Sequence, residues 1–160
     1  SSSCTTLIPL TLLSMYDFTI GNAIRIASEG KSVIIIQFLK GKNENELTFL
    51  SRLEPEIKIF RFAKSDECFE ALSEEAKQEE SMNLRNGFNY GKKVVTTGAC
   101  DMLILDEVLG IVDEKVISPE EICELFAAKP EEMTLVCTGR VLDEKIREAA
   151  DEVYNIAPEK

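Results

Sequence analysis

Residues 100–110 read CDMLILDEVLG. Met102-Leu103-Ile104-Leu105 form an uninterrupted apolar run that stops at two adjacent carboxylates, Asp106 and Glu107. A short apolar run bounded by polar residues is typical of a strand buried on both faces, as in a parallel sheet. Acids at the carboxyl end of such a strand lie where open α/β sheets bind their ligands. One reading of the pair is bland: an acid after a strand opens the next helix or faces water. The other is a Walker-B-like site, in which a strand-tip carboxylate holds Mg²⁺ against nucleotide phosphates.

Outward from this stretch the chain alternates. SVIIIQF (32–38) and IKIFRF (57–62) read as further strands, and MTLVCTGR (133–140) as a fourth with its exit loop. Helical spacing runs from Ile20 to Ser28, with Gly30 as the stop, and Leu47, Leu50 and Leu53 suggest a helix over 43–54. Residues 66–97 are acidic at first and helical in their second half, through Leu84, Phe88 and Val95. SPEEICELF (118–126) carries a capping box, with Ser118 as cap, Pro119 at the first position and Glu121 completing it. DEKIREAADEVYNI (143–156) reads as a short helix and a last strand near Val153 to Ile156. Strands separated by helices predict one α/β domain over residues 1–160, its mostly parallel sheet covered by helices on both faces.

Composition narrows the function. A net charge of −11 with no basic run longer than two residues argues against a nucleic-acid or anionic-membrane partner. No stretch reaches the roughly 18 apolar residues of a membrane span. The sequence has no histidine, which excludes Ser-His-Asp, Cys-His and His-metal chemistry. Five scattered cysteines without a C-x-x-C pair fit a reducing cytoplasm.

Several polar residues sit at strand exits. Gln37, Lys40 and Lys42 stand at the exit of the strand at 33–38, and Thr138-Gly139-Arg140 end the strand and exit loop at 133–140. The glycine permits a tight turn, and arginine suits bidentate phosphate recognition. Each is equally an ordinary loop charge. A phosphate-binding loop of the form G-x-x-x-x-G-K-[ST] is absent. Gly30-Lys31-Ser32 imitates its end, but Arg25 stands where the first glycine belongs, and the triplet follows a helix.

The ordered series VIIIQFLKG, LILDE, TGR and AADEVYNI resembles the bacterial ATP:corrinoid adenosyltransferases of the cobalamin-salvage type, from about Gly21 to the C-terminus. The resemblance implies a P-loop NTPase-like fold. It also implies transfer of 5′-deoxyadenosyl from ATP to the Co(I) of a reduced corrinoid, release of triphosphate, use of Mg²⁺ and a homodimer. By this resemblance Asp106 and Glu107 hold the metal, while Arg25, Gln37, Lys40, Thr138 and Arg140 serve the nucleotide. Phe69 or Phe88 is the expected aromatic neighbour of the corrin.

One departure is severe. Counted back from Gly21, the phosphate loop should cover Leu10 to Asp17, which reads LTLLSMYD, without glycine or lysine. Residues 1–16 carry no charged side chain, and residues 1–20 stand as an atypical replacement for the first strand and phosphate loop. SCTTLI (3–8) nevertheless retains strand character. Three origins fit: a degenerate family member, a segment introduced by cloning, frameshift or misassignment, or nucleotide binding through the remaining acids and cations. The rival to an adenosyltransferase is a non-catalytic binding or assembly protein on the same fold. A generic NTPase or phosphotransferase fits less well, because γ-phosphoryl transfer depends on the absent lysine.

Overall fold

The computed structural model describes residues 5–9, 21–39, 52, 56–65 and 67–153. The expected loop at 10–17, the helix over 43–54, Lys40 and the end of the last strand lie outside the described residues.

Among the described residues six strands form one parallel sheet: β1 (Thr5–Pro9), β2 (Val33–Gln37), β3 (Ile57–Arg61), β4 (Met102–Asp106), β5 (Thr134–Gly139) and β6 (Glu152–Val153). Their spatial order is β3-β2-β4-β5-β1-β6. Thr5–Pro9, which takes in the TTLI of SCTTLI, does supply a strand, paired to β5 on one side and β6 on the other.

The apolar runs are continuous because both faces are covered. Ile34, Ile36, Leu103, Leu105, Leu135 and Cys137 join the larger core on one face. Val33, Ile35, Ile57, Met102, Ile104 and Val136 point the other way, against Ala23 of helix α1, residues 21–28. The larger core is closed by α2 (Glu74–Thr97), α3 (Val108–Asp113), α4 (Pro119–Ala128) and α5 (Glu144–Ala149).

Local signals set the helix limits. Ser118 Oγ accepts the Glu121 N–H at 3.2 Å, and Glu121 Oε2 accepts the Ser118 N–H at 2.8 Å, the expected capping box. Helix α2 begins well before the point its apolar spacing predicts. Ser73 Oγ accepts the Ala76 N–H at 3.2 Å, and Glu74 and Glu75 favour the positive end of the helix dipole. Gly98, at φ 61°, ends it in the left-handed region.

The carboxyl ends of β4, β5 and β1 lie side by side: Leu105 pairs with Cys137, and Pro9 pairs with Gly139. β1 therefore ends beside Gly139. The role of Gly139 differs from the tight turn expected of it. It is the last residue of β5, and a Cβ there would meet Leu109 Cβ at 2.4 Å and its Cα at 3.1 Å. The glycine lets α3 press directly on β5, which places the start of α3 over the strand ends.

Candidate functional site

Asp106 ends β4, and Glu107 turns the chain into α3 with φ 63° and ψ 23°. A left-handed conformation is strained for a residue with a side chain, by about 1–3 kcal/mol. Two contacts hold it. Thr138 Oγ1, on neighbouring β5, accepts the Glu107 N–H at 2.9 Å and donates to Asp106 Oδ1 at 3.2 Å. One hydroxyl thus fixes both acids, and it is wholly buried. Thr138→Val keeps the shape but strands a buried N–H and removes the donor to Asp106. It is expected to cost about 1–3 kcal/mol, read as a lower urea midpoint at unchanged m-value.

Glu107 occupies the N-cap position of α3, yet its side chain makes no capping bond. Glu107 thus does stand where the next helix opens, as the bland reading has it, but its carboxylate neither caps that helix nor faces open water. Its Oε1 is buried and has no hydrogen-bond partner among the described residues. Burial pushes the Asp106 carboxyl up to about 7, with the Glu107 charge adding to the push and the Thr138 hydroxyl opposing it. Burial also raises Glu107, while the Arg140 guanidinium pulls it down. Two acids so arranged in a low dielectric are compensated when a cation is present.

Carboxylate and hydroxyl oxygens suit a hard cation such as Mg²⁺. No group of three or more acidic, cysteine or histidine side chains is placed to hold a metal among the described residues. Mg²⁺ is usually held by one or two carboxylates together with waters and substrate phosphates.

Glu107 faces an open cleft of about 770 Å³ whose lining includes Phe38, Leu39, Phe69, Leu84 and Arg140. Gly110 keeps this floor open, since a Cβ there would lie 2.6 Å from Leu39 Cδ1 and 3.2 Å from Glu107 Oε2. The cleft's lining also holds Glu67, Glu70, Glu80, Asp113 and Glu114, so among the described residues six carboxylates, Glu107 included, face the single guanidinium of Arg140.

The other expected residues divide. Gln37 is buried at the end of β2, in register with Asp106. Arg140 and Phe69 border the cleft. Arg25 does not line it: it lies exposed on α1, its guanidinium 3.7 Å from Glu29 and 3.3 Å from Asn22 Oδ1. Phe88 is fully buried in the larger core and also absent from the lining, so it has no surface to offer a corrin. Its spacing from Leu84 and Gly91 puts it on the inward stripe of α2. Sequence reasoning missed Phe38 and Leu39 as lining residues, and it missed Glu80. An acid four residues before Leu84, on that same apolar stripe, was the available signal.

A family model described as ATP:corrinoid adenosyltransferase BtuR/CobO/CobP matches residues 18–160. The match begins directly after LTLLSMYD. The corrinoid adenosyltransferase CobA of Salmonella typhimurium LT2 is 30% identical over 140 residues, covering 88% of this chain and 69% of the relative. The corrinoid adenosyltransferase of Escherichia coli K12 is 28% identical over the same coverage. Among solved structures, the KaiC-like protein PH0186 of Pyrococcus horikoshii OT3 superimposes with a TM-score of 0.61 at 15% identity. It spans 99% of this chain and 74% of that one, a likeness of fold alone. The fold is α/β and P-loop NTPase-like, as the ordered motifs imply.

Proposed function

Since the chain belongs to the ATP:corrinoid adenosyltransferase family, we propose that it transfers the 5′-deoxyadenosyl group of ATP to the cobalt of a reduced corrinoid. The cobalt(I) electron pair forms the bond to C5′, the C5′–O bond breaks, and triphosphate leaves with the bonding electrons. The observation that carries this reading is the Asp106–Thr138–Glu107 arrangement, with a Glu107 oxygen that has no partner among the described residues, in a cleft that Arg140 borders.

Glu107 and Asp106 would hold Mg²⁺, which when bound offsets charge on the phosphate oxygens. Arg140 neutralises the departing triphosphate, assisted in the family's pattern by Lys40 and Gln37. Thr138 acts by holding the two acids, its hydroxyl being engaged on both sides. Leu39 and Phe69 supply apolar surface suited to the face of a flat macrocycle and to excluding water. Catalysis on this reading is positioning and electrostatics, since the nucleophile belongs to the corrinoid.

A homodimer in a cytoplasmic setting accords with the family resemblance and the scattered cysteines. No helix among the described residues is long and apolar enough to cross a membrane.

The test is the visible spectrum of chemically reduced cobalamin with the chain and millimolar MgATP. Formation of the cobalt–carbon product, absent without protein or without ATP, supports the proposal. A second reading, a non-catalytic corrinoid-binding member, is favoured by LTLLSMYD at the loop position. It expects corrinoid binding without product, unchanged in Glu107→Ala.

A further inference from the structure

Helix α2 buries a stripe that contains Leu84, Gly87, Phe88, Gly91, Val94 and Val95, and one acid, Glu80, lies on its line. Glu80 is only 6% exposed, an environment that an ionised carboxylate enters at a cost unless it is well bonded. It is well bonded. Oε1 accepts the Lys64 N–H at 2.9 Å and an Asn83 Nδ2 hydrogen at 3.1 Å, while Oε2 accepts the Ser65 N–H at 2.7 Å. Burial raises its carboxyl, but these donors and the Arg61 charge outweigh burial and hold it below the usual carboxylate value.

Both backbone amides belong to the segment that leaves β3. That segment runs on as one wall of the cleft, with Ala63, Ser65, Cys68 and Phe69 in the lining, and Glu80 itself touches the same space. Two successive amides without strand partners would otherwise be free to turn with the segment. The carboxylate pins them to a long helix whose opposite end is anchored in the core. The pinned wall carries Phe69 together with Glu67 and Glu70, whereas Glu107 and Arg140 come from the exits of β4 and β5.

We propose that Glu80 is a positioning residue for the corrinoid side of the cleft: its clamp on the Lys64 and Ser65 amides sets the wall that carries Phe69, independently of the nucleotide side. The inference rests on the adenosyltransferase reading for the identity of the occupant.

The experiment compares the wild-type chain, Glu80→Gln and Glu80→Asp in three readouts. These are calorimetric binding of aquacobalamin, calorimetric binding of MgATP, and hydrogen exchange at the Lys64 and Ser65 amides. Glu80→Gln presents one acceptor where the carboxylate presents two. It is expected to speed exchange at those amides, to weaken cobalamin binding by about tenfold and to leave MgATP binding within about twofold. Glu80→Asp keeps the charge and recovers part of the loss, and it serves as the test if the glutamine variant does not fold. In turnover, the KM for corrinoid rises while kcat holds. Faster amide exchange with unchanged cobalamin affinity, or equal losses for both ligands, overturns the positioning role. A wild-type chain that binds no cobalamin overturns the corrinoid reading itself, whatever Glu80 does to the amides.

Discussion

Glu107→Gln is expected to slow adenosyl transfer by about a hundredfold or more and, in the same variant, to stabilise the ligand-free chain. The first effect follows from removing a charge aimed at the place where phosphate charge develops, a loss of order 10²–10³ in rate in comparable electrostatic sites. The second follows from the burial of two adjacent carboxylates: burial raises both, the Glu107 charge raises Asp106 further, and Glu107 Oε1 has no hydrogen-bond partner among the described residues. Neutralising one while keeping its shape relieves repulsion and desolvation together. A gain of about 1 kcal/mol, or about 2–4 °C in Tm, is the expected scale. Calorimetric melting in EDTA beside a transfer assay in Mg²⁺ checks both. A purely structural acid would lose stability on substitution and leave transfer alone, so the opposite signs separate the two roles.

The second large effect concerns residues 10–16. Replacing LTLLSMY with a loop of the form G-x-G-K-G-K-T is expected to tighten MgATP binding by more than about a thousandfold. A lysine and converging backbone amides contribute charge-assisted bonds of about 1.5–3 kcal/mol each, and about 4 kcal/mol already gives that factor. Glycines are needed because only they let successive N–H groups turn inward on the phosphates. The geometry supports the site of replacement, since β1 ends at Pro9 beside Gly139, one residue before Arg140. Titration calorimetry of the two chains measures the difference. Equal affinities would mean that the acids and cations elsewhere already carry nucleotide binding.

Much of the fold was legible because the strands are buried on both faces. VIIIQ and MLILD read as strands from composition alone, and the S-x-x-E box with its proline marked the start of α4. The early start of α2 was not legible from periodicity. EEAKQEE has no apolar stripe, so it is held by its cap, its dipole and good helix formers. The acid pair was visible as two letters at a strand end. Its bridging by Thr138 was not, because that contact joins residues 32 apart in sequence across β4 and β5. The left-handed Glu107 gave no signal either, since the residue that usually marks such a turn is glycine. Two expectations carried over from family resemblance met simple geometry. Arg25 lies two residues from both Ala23 and Ala27, which pack inward, so its own side chain faces out. Phe88 lies on the stripe that α2 buries.

The most direct test of the account is a single-turnover reaction of reduced cobalamin with saturating MgATP, run with the unmodified chain and with Glu107→Gln. The account expects the cobalt–carbon product from the unmodified chain and at least about a hundredfold slower formation from the variant. No product from either chain, or equal rates from both, would contradict it.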